Sequence, residues 1–157
     1  MAVIPLDTPW RQTHVGYWLA QASARFDARV LALMAANDSV PLALANLAAR
    51  GHLTASHVHI TRHLALAGSR LSDLANSAGV SKQAMGKLVD QCEAWGLVQR
   101  QPDLRDARAC LVVFSPAGLS WLQAFKDAVT QAHAELQESV GPEVATVMAL
   151  GLEAYAA

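Results

Sequence analysis

Residues 71–95 read LSDLANSAGVSKQAMGKLVDQCEAW, and this stretch decides the fold. Two short helices joined by a tight turn need a small residue where they touch, a turn residue that tolerates positive φ, and apolar residues that lock the second helix. Ala75 meets the first need and Gly79 the second. Met85 and Leu88 meet the third, with Leu74, Ala78 and Val80 at the remaining inward positions. The spacing predicts helices over Leu71–Ala78 and Ser81–Trp95, with Gly79 in the turn and Ser81 as N-cap of the second.

Beyond Gly96, Leu97–Arg100 and Arg108–Phe114 read as short strands, and Gln101–Ala107 between them contains the turn signal Pro102-Asp103. A hairpin directly after a helix-turn-helix forms a wing. Ser115-Pro116 caps a long helix carrying Leu119, Leu122, Phe125, Val129, Ala132 and Leu136 on one face. Gly141-Pro142 opens a last helix bearing Val144, Val147, Met148 and Leu152.

Upstream, Val15, Trp18, Leu19, Ala22, Phe26, Val30 and Leu33 recur at helical steps, predicting a helix over Thr13–Ala36 that Asn37–Pro41 stops. A short helix is expected over Leu42–Ala49, ending at Gly51. Another follows, capped by Thr54, running to about Leu66 and closed by Gly68. The fold class is mainly α with a small β-hairpin wing: a winged helix-turn-helix at 53–115, flanked by helical regions at 10–52 and 116–157.

The chain has 157 residues, 53% of them hydrophobic and only 16% charged, enough for one compact domain or two small interdigitated ones. No apolar run approaches the ~20 residues that span a bilayer, and Met1–Trp10 lacks the basic-then-apolar pattern of a secretory signal. Cys92 and Cys110 have neither Cys-x-x-Cys spacing nor the number for a disulfide framework. A cytoplasmic location is expected, with no membrane partner. Net charge is −1, yet its distribution is uneven. Between residues 50 and 108, eight basic residues (Arg50, Arg62, Arg70, Lys82, Lys87, Arg100, Arg105, Arg108) face five acidic ones, which makes that segment +3 and the remainder −4. A basic centre in an acidic chain fits a polyanionic partner, although solvated faces often show the same asymmetry.

Helix geometry leaves Ser81, Lys82, Gln83, Gly86 and Lys87 facing outward on the second helix of the pair. The first turns of such a helix fit the major groove of double-stranded DNA. Gln83 can pair bidentately with an adenine edge, and Lys82 or Lys87 can reach phosphate or guanine. Gly86 costs about 1 kcal/mol relative to alanine in an exposed helix, which close approach to DNA would offset; a weak surface position is the plainer reading. At the wing, Asp106 can orient Arg108 into a narrow minor groove, with Arg105 a second candidate.

The stretch LTASHVHITRHLALAGSRLSDLANSAGVSKQAMGKLVDQCEAWGLVQRQPDLRDARACLVVFSPAG, residues 53–118, resembles the MarR family of regulators. The likeness lies in Leu-Ala in the first helix of the pair, VSKQAM entering the second, GLV into the hairpin, and Asp-x-Arg before FSPAG. The resemblance implies a homodimeric transcription regulator, most simply a repressor, whose terminal helices intertwine as dimerisation helices and hold two wings over a pseudo-palindromic operator. It places the DNA contacts at Ser81, Lys82, Gln83, Gly86 and Lys87, with Asp106 and Arg108 in the wing. It also implies that a small effector or oxidation can change the spacing of the two recognition helices. Trp121 and Phe125, four apart, are then expected to pack against the partner subunit. The short helix within Pro41–Gly51 departs from the family pattern.

Several features have a functional and a plainer reading. Trp10, Tyr17 and Trp18 cluster near the first helix; core or dimer packing is the commoner role, and an aromatic effector pocket with His57 and Arg62 is the alternative. His59 and His63, at i and i+4, could bind zinc, but no glutamate lies nearby in sequence, and surface or interface histidines are commoner. Cys92 is expected in the core and Cys110 partly exposed. Neither a Ser/His/Asp or Cys/His frame nor a Gly-rich phosphate loop is recognisable, so neither an enzyme nor a cofactor is expected. Two other classes stay open: a winged-helix interaction module without DNA binding, and a metal-responsive regulator using His59 and His63.

Overall fold

The computed structural model describes residues 9–40, 46–47 and 51–157. A single 3₁₀ turn, Pro9–Gln12, precedes α1 (Val15–Ala35). Then follow α2 (Ala55–His63), α3 (Leu71–Ala78), α4 (Lys82–Ala94), β1 (Val98–Asp103), β2 (Asp106–Phe114), α5 (Pro116–Val140) and α6 (Pro142–Ala156). The architecture is the expected one, mainly helical with a two-stranded antiparallel hairpin. The short helix expected over Leu42–Ala49 lies, apart from residues 46–47, outside the described residues. Among the described residues no helix is long and apolar enough to cross a membrane.

Local chemistry sets most boundaries. Gly79 ends α3 at φ +67, the left-handed geometry that only glycine adopts without strain, and its N–H closes the last turn onto Ala75 and Asn76 carbonyls. Ser81 caps α4 by accepting from the Ala84 N–H at 3.1 Å. Ser115 likewise accepts from Gly118 N at 3.0 Å, with Pro116 in the first turn of α5. α1 starts at Val15 rather than at Thr13, and its cap is His14, whose Nδ1 accepts from Tyr17 N at 3.2 Å.

Two differences follow from tertiary contacts. α2 stops at His63 instead of near Leu66, because Leu64 turns extended and buries its side chain while Leu66 is left exposed. The chain then runs to Gly68, at φ +95, and Ser69 exchanges backbone hydrogen bonds with Val112 at 3.0 and 2.9 Å. This one-residue bridge places β2 between two backbone neighbours. A Cβ at Gly68 would sit 2.8 Å from Val113 Cγ1, so the close approach requires glycine. The hairpin is also longer than expected. Most of the anticipated 101–107 turn is strand, with Pro102 opposite Cys110; β1 is an edge strand, where proline is tolerated.

One core joins the pieces: Val30 and Met34 of α1, Leu53, Ile60 and Leu64, Leu74 and Ala75, Met85, Val89 and Cys92, Leu97, Val98 and Val112, and Trp121, Ala124, Ala128 and Ala132 of α5. Trp121 corrects the expectation of a partner contact. It is 2% exposed, inside its own chain, with Phe125 packed half-buried beside it. The first turn of α5 presses against the start of β1 so closely that a Cβ on Gly118 would fall 1.9 Å from the Leu97 carbonyl oxygen.

The apolar stripe of α1 is covered only in its second half. Val30 and Met34 are buried, whereas Val15 and Trp18 stand in the open. α6 buries Ala145 alone.

Candidate nucleic-acid interface

The apolar residues of α4 define which face remains free. Met85, Val89 and Cys92 point into the core, so Ser81, Lys82, Gln83 and Lys87 are exposed on the opposite side, as the sequence spacing requires. Ala84 shares that exposed first turn, a neighbour the sequence reasoning passed over. Gly86 is half-buried: a Cβ there would point at Leu71 Cδ2, 3.7 Å away, in ordinary contact. The fold itself therefore does not demand glycine at 86.

The wing rises beside this helix, with Leu104 and Arg105 between the strands at its tip. Leu104, Arg105 and Arg108 are exposed and Asp106 half-exposed. Asp106 acts differently from expectation: its Oδ1 accepts the backbone N–H of Arg108 at 3.0 Å, fixing the main chain rather than the guanidinium. Asp103 does the same for Arg105, accepting its N–H at 2.9 Å. The other Asp103 oxygen accepts from Arg70 Nε and Nη2 at 3.1 and 2.8 Å. These contacts, the Arg105 N–H first and Arg70 second, hold the Asp103 carboxyl below the usual carboxylate range. Neither Arg70 nor Asp103 was singled out from sequence, although the repeat Asp103-x-Arg105, Asp106-x-Arg108 is a readable signal.

Ion pairing sorts the described basic residues of the 50–108 segment into two sets. Arg62 pairs with Asp27 of α1, Arg70 with Asp103, and Arg100 with Asp90 and Glu93, all tying elements of the fold together. Lys82, Lys87, Arg105 and Arg108 have no ion-pair partner among the described residues and are exposed. Arg50 lies outside the described residues. Between residues 50 and 108 the unpaired set falls on α4 and the wing, where the first-turn N–H groups of α4 add further positive potential; outside that segment Arg11, Arg25 and Lys126 are also exposed and without an ion-pair partner among the described residues. Such a surface can neutralise phosphates while Gln83 reads a base edge.

The residues considered for an effector pocket are not gathered. Tyr17 and Trp18 meet edge-to-face at 5.1 Å, and Trp18 is exposed. His57 is buried against Trp95 at 4.8 Å. Its Nδ1 accepts from Thr54 N at 3.0 Å, so Nε2 carries the proton facing Gln91 Oε1 at 2.7 Å. The cavity beside His57, about 10 Å³, is lined by none of the other three. Arg62 is committed to Asp27. His59 and His63 stack at 6.2 Å, and burial, with help from His59 and Arg62, lowers the His63 pKa. No group of three or more metal-ligating side chains occurs among the described residues. Burial pushes the Cys92 thiol up to about 12, leaving it inert, while Cys110 is exposed on β2.

A helix-turn-helix whose second helix and following hairpin present one basic face is a winged-helix DNA-binding fold. Residues 53–109 match the model of the MarR family. No curated protein matches the chain by sequence. Among solved structures, a probable transcriptional regulator from Pseudomonas aeruginosa superposes with TM-score 0.68 at 22% identity, covering 94% of this chain and 99% of that one. The transcriptional repressor CouR, solved bound to a 23-mer DNA duplex, gives TM-score 0.67 at 20% identity over 98% and 100% of the two chains. Wild-type apo MarR from E. coli gives 0.63 at 22%, covering 98% of each. At these identities the likeness establishes the fold: that of MarR-type transcriptional regulators along nearly the whole chain.

Proposed function

We propose that this protein is a sequence-specific DNA-binding transcription regulator, acting in the cytoplasm as a homodimeric repressor on a pseudo-palindromic operator. The observation that carries the reading is the division of basic residues between positions 50 and 108: Arg62, Arg70 and Arg100 are neutralised by carboxylates, and Lys82, Lys87, Arg105 and Arg108, on α4 and the wing, have no ion-pair partner among the described residues and are exposed. Ser81, Lys82, Gln83 and Lys87 enter the major groove, Arg105 and Arg108 reach the flanking minor groove, and Asp106 sets the Arg108 backbone. The second copy sits on the apolar surface of α6 and the first half of α1. Val144, Val147, Leu150, Leu152 and Tyr155 are exposed there, and α6 carries only Glu143 and Glu153 as charges. A small aromatic effector would meet Tyr17 and Trp18 at that dimer face, since His57 and Arg62 are already engaged.

Selection of bound duplexes from a random pool tests this. The parent protein is expected to recover a palindrome and bind it in the nanomolar range, with affinity falling steeply with salt. Gln83→Ala should relax base preference at one position of each half-site, and Arg108→Ala should lower the salt slope by about 1 per site. Recovery of no sequence at moderate salt would remove the reading in favour of an interaction module.

A further inference from the structure

The tip of the wing has no apolar seat. Leu104 is fully exposed, and a groove of about 590 Å³ separates the tip from the start of α3, lined by Arg70, Asp73, Asp103, Leu104 and Arg105 among others. What crosses this groove is a guanidinium. Arg70, the N-cap residue of α3, donates two hydrogen bonds to one oxygen of Asp103, and its Nη2 lies 3.8 Å from one oxygen of Asp106. The second oxygen of each aspartate holds the backbone N–H of a wing arginine, Arg105 in one case and Arg108 in the other.

We infer that Arg70 is a positioning residue that sets Arg105 and Arg108 relative to α4 through Asp103 and Asp106. Arg70 anchors to the helix preceding α4, so it references the wing to the same rigid pair that carries Gln83. A fork geometry suits this task, because two N–H groups on one carboxylate fix direction as well as distance. The hydrogen bonds to Asp103, and then its charge, raise the Arg70 pKa further, so the bridge stays charged across the physiological range. Arg70 itself contacts no DNA in this scheme; its effect on binding passes entirely through the two wing arginines. The functional half of the inference rests on the DNA-binding reading above.

The test uses the full chain in two arms. Leu104→Cys in a Cys110→Ser background takes a nitroxide label at the tip, Cys92 being buried. Arg70→Ala should mobilise the label in the protein without DNA, and Arg70→Lys should restore part of the immobilisation. On the duplex selected by the parent, Arg70→Ala should weaken binding roughly tenfold. In an Arg105→Ala/Arg108→Ala background the same change should add nothing, the signature of residues acting as one unit. A label equally immobile in Arg70→Ala, or a loss that adds in full to that of the wing substitutions, overturns the inference while leaving the DNA-binding reading standing. A parent protein that selects no duplex overturns both.

Discussion

α4 and α6 are of similar length, 13 and 15 residues, yet they stand in opposite relations to the rest of the chain. α4 places Met85, Val89 and Cys92 in the core and turns a polar, basic face outward. α6 buries only Ala145 and leaves Val144, Val147, Met148, Leu150, Leu152 and Tyr155 in solvent. The first is a helix whose apolar needs are met within its own chain, so its exposed side is free for a polar ligand. The second has apolar surface that its own chain does not cover, which in a folded protein marks a contact with another molecule. One molecule thus separates a self-sufficient helix, the proposed reading head, from an arm that in the proposed dimer a second copy would complete.

The largest test of that contrast is to charge the arm. Val147→Asp with Leu150→Glu should convert dimer to monomer at micromolar concentration, seen by sedimentation equilibrium. Burying each such side chain is worth about 1.5–3 kcal/mol, so dissociation should rise a hundredfold or more, while circular dichroism stays that of the parent. A parent already monomeric would break the comparison. In the reading head, Met85→Ala should cost about 2–5 kcal/mol of unfolding free energy through the cavity it leaves, measured as a shifted denaturant midpoint at constant slope.

Gly118 lies where α5, the helix that leads to α6, starts against Leu97 at the foot of the wing. Gly118→Ala forces α5 away from Leu97 and should cost about 1–3 kcal/mol or more. A neutral result there would mean that α5 and the wing pack independently. Gly86→Ala should instead stabilise the fold, by up to about 1 kcal/mol, since the added methyl meets only Leu71 at contact distance. Greater stability combined with weaker DNA binding would show that glycine is kept for close approach; unchanged binding would leave it a plain surface residue.

The smallest expected effect compares two ion pairs, one in each region. Asp103 in the wing and Glu135 of α5, which receives two hydrogen bonds from Arg29 of α1, both have folded pKa values below their ordinary range. Each carboxylate therefore contributes stability that is complete above the usual carboxylate pKa and is lost as pH falls through the lowered value. Acid titrations of Asp103→Asn and Glu135→Gln should both lose part of that acid-side slope. The wing variant should lose more, because Asp103 is buried and the Arg29–Glu135 pair is open to screening water.

The helix pair was legible because each of its signals is local. Gly79 needs left-handed φ, Ser81 caps three residues ahead, and Met85 and Cys92 share one helical face regardless of what covers it; between them Val89 is buried, whereas Leu88, the residue expected to lock the helix, is only half-buried. The same holds for Ser115-Pro116 and for the outward set at Ser81, Lys82, Gln83 and Lys87. Periodicity misled where it says that a face is apolar but not what buries it. Trp121 and Phe125 read as a partner contact, yet Trp121 closes the chain's own core, while Val15 and Trp18, on an equally regular stripe, stay exposed.

From its order of residues alone this chain was committed to a helix-turn-helix with a hairpin behind it, since caps, turns and periodicity act within a few residues. Tertiary structure decided which arginines are neutralised and which are free, where Ser69 joins β2, and that Arg70 reaches Asp103 across 33 positions. Those contacts depend on the packing of whole helices, and the pairing of charges distant along a chain has no signature until that packing brings them within reach.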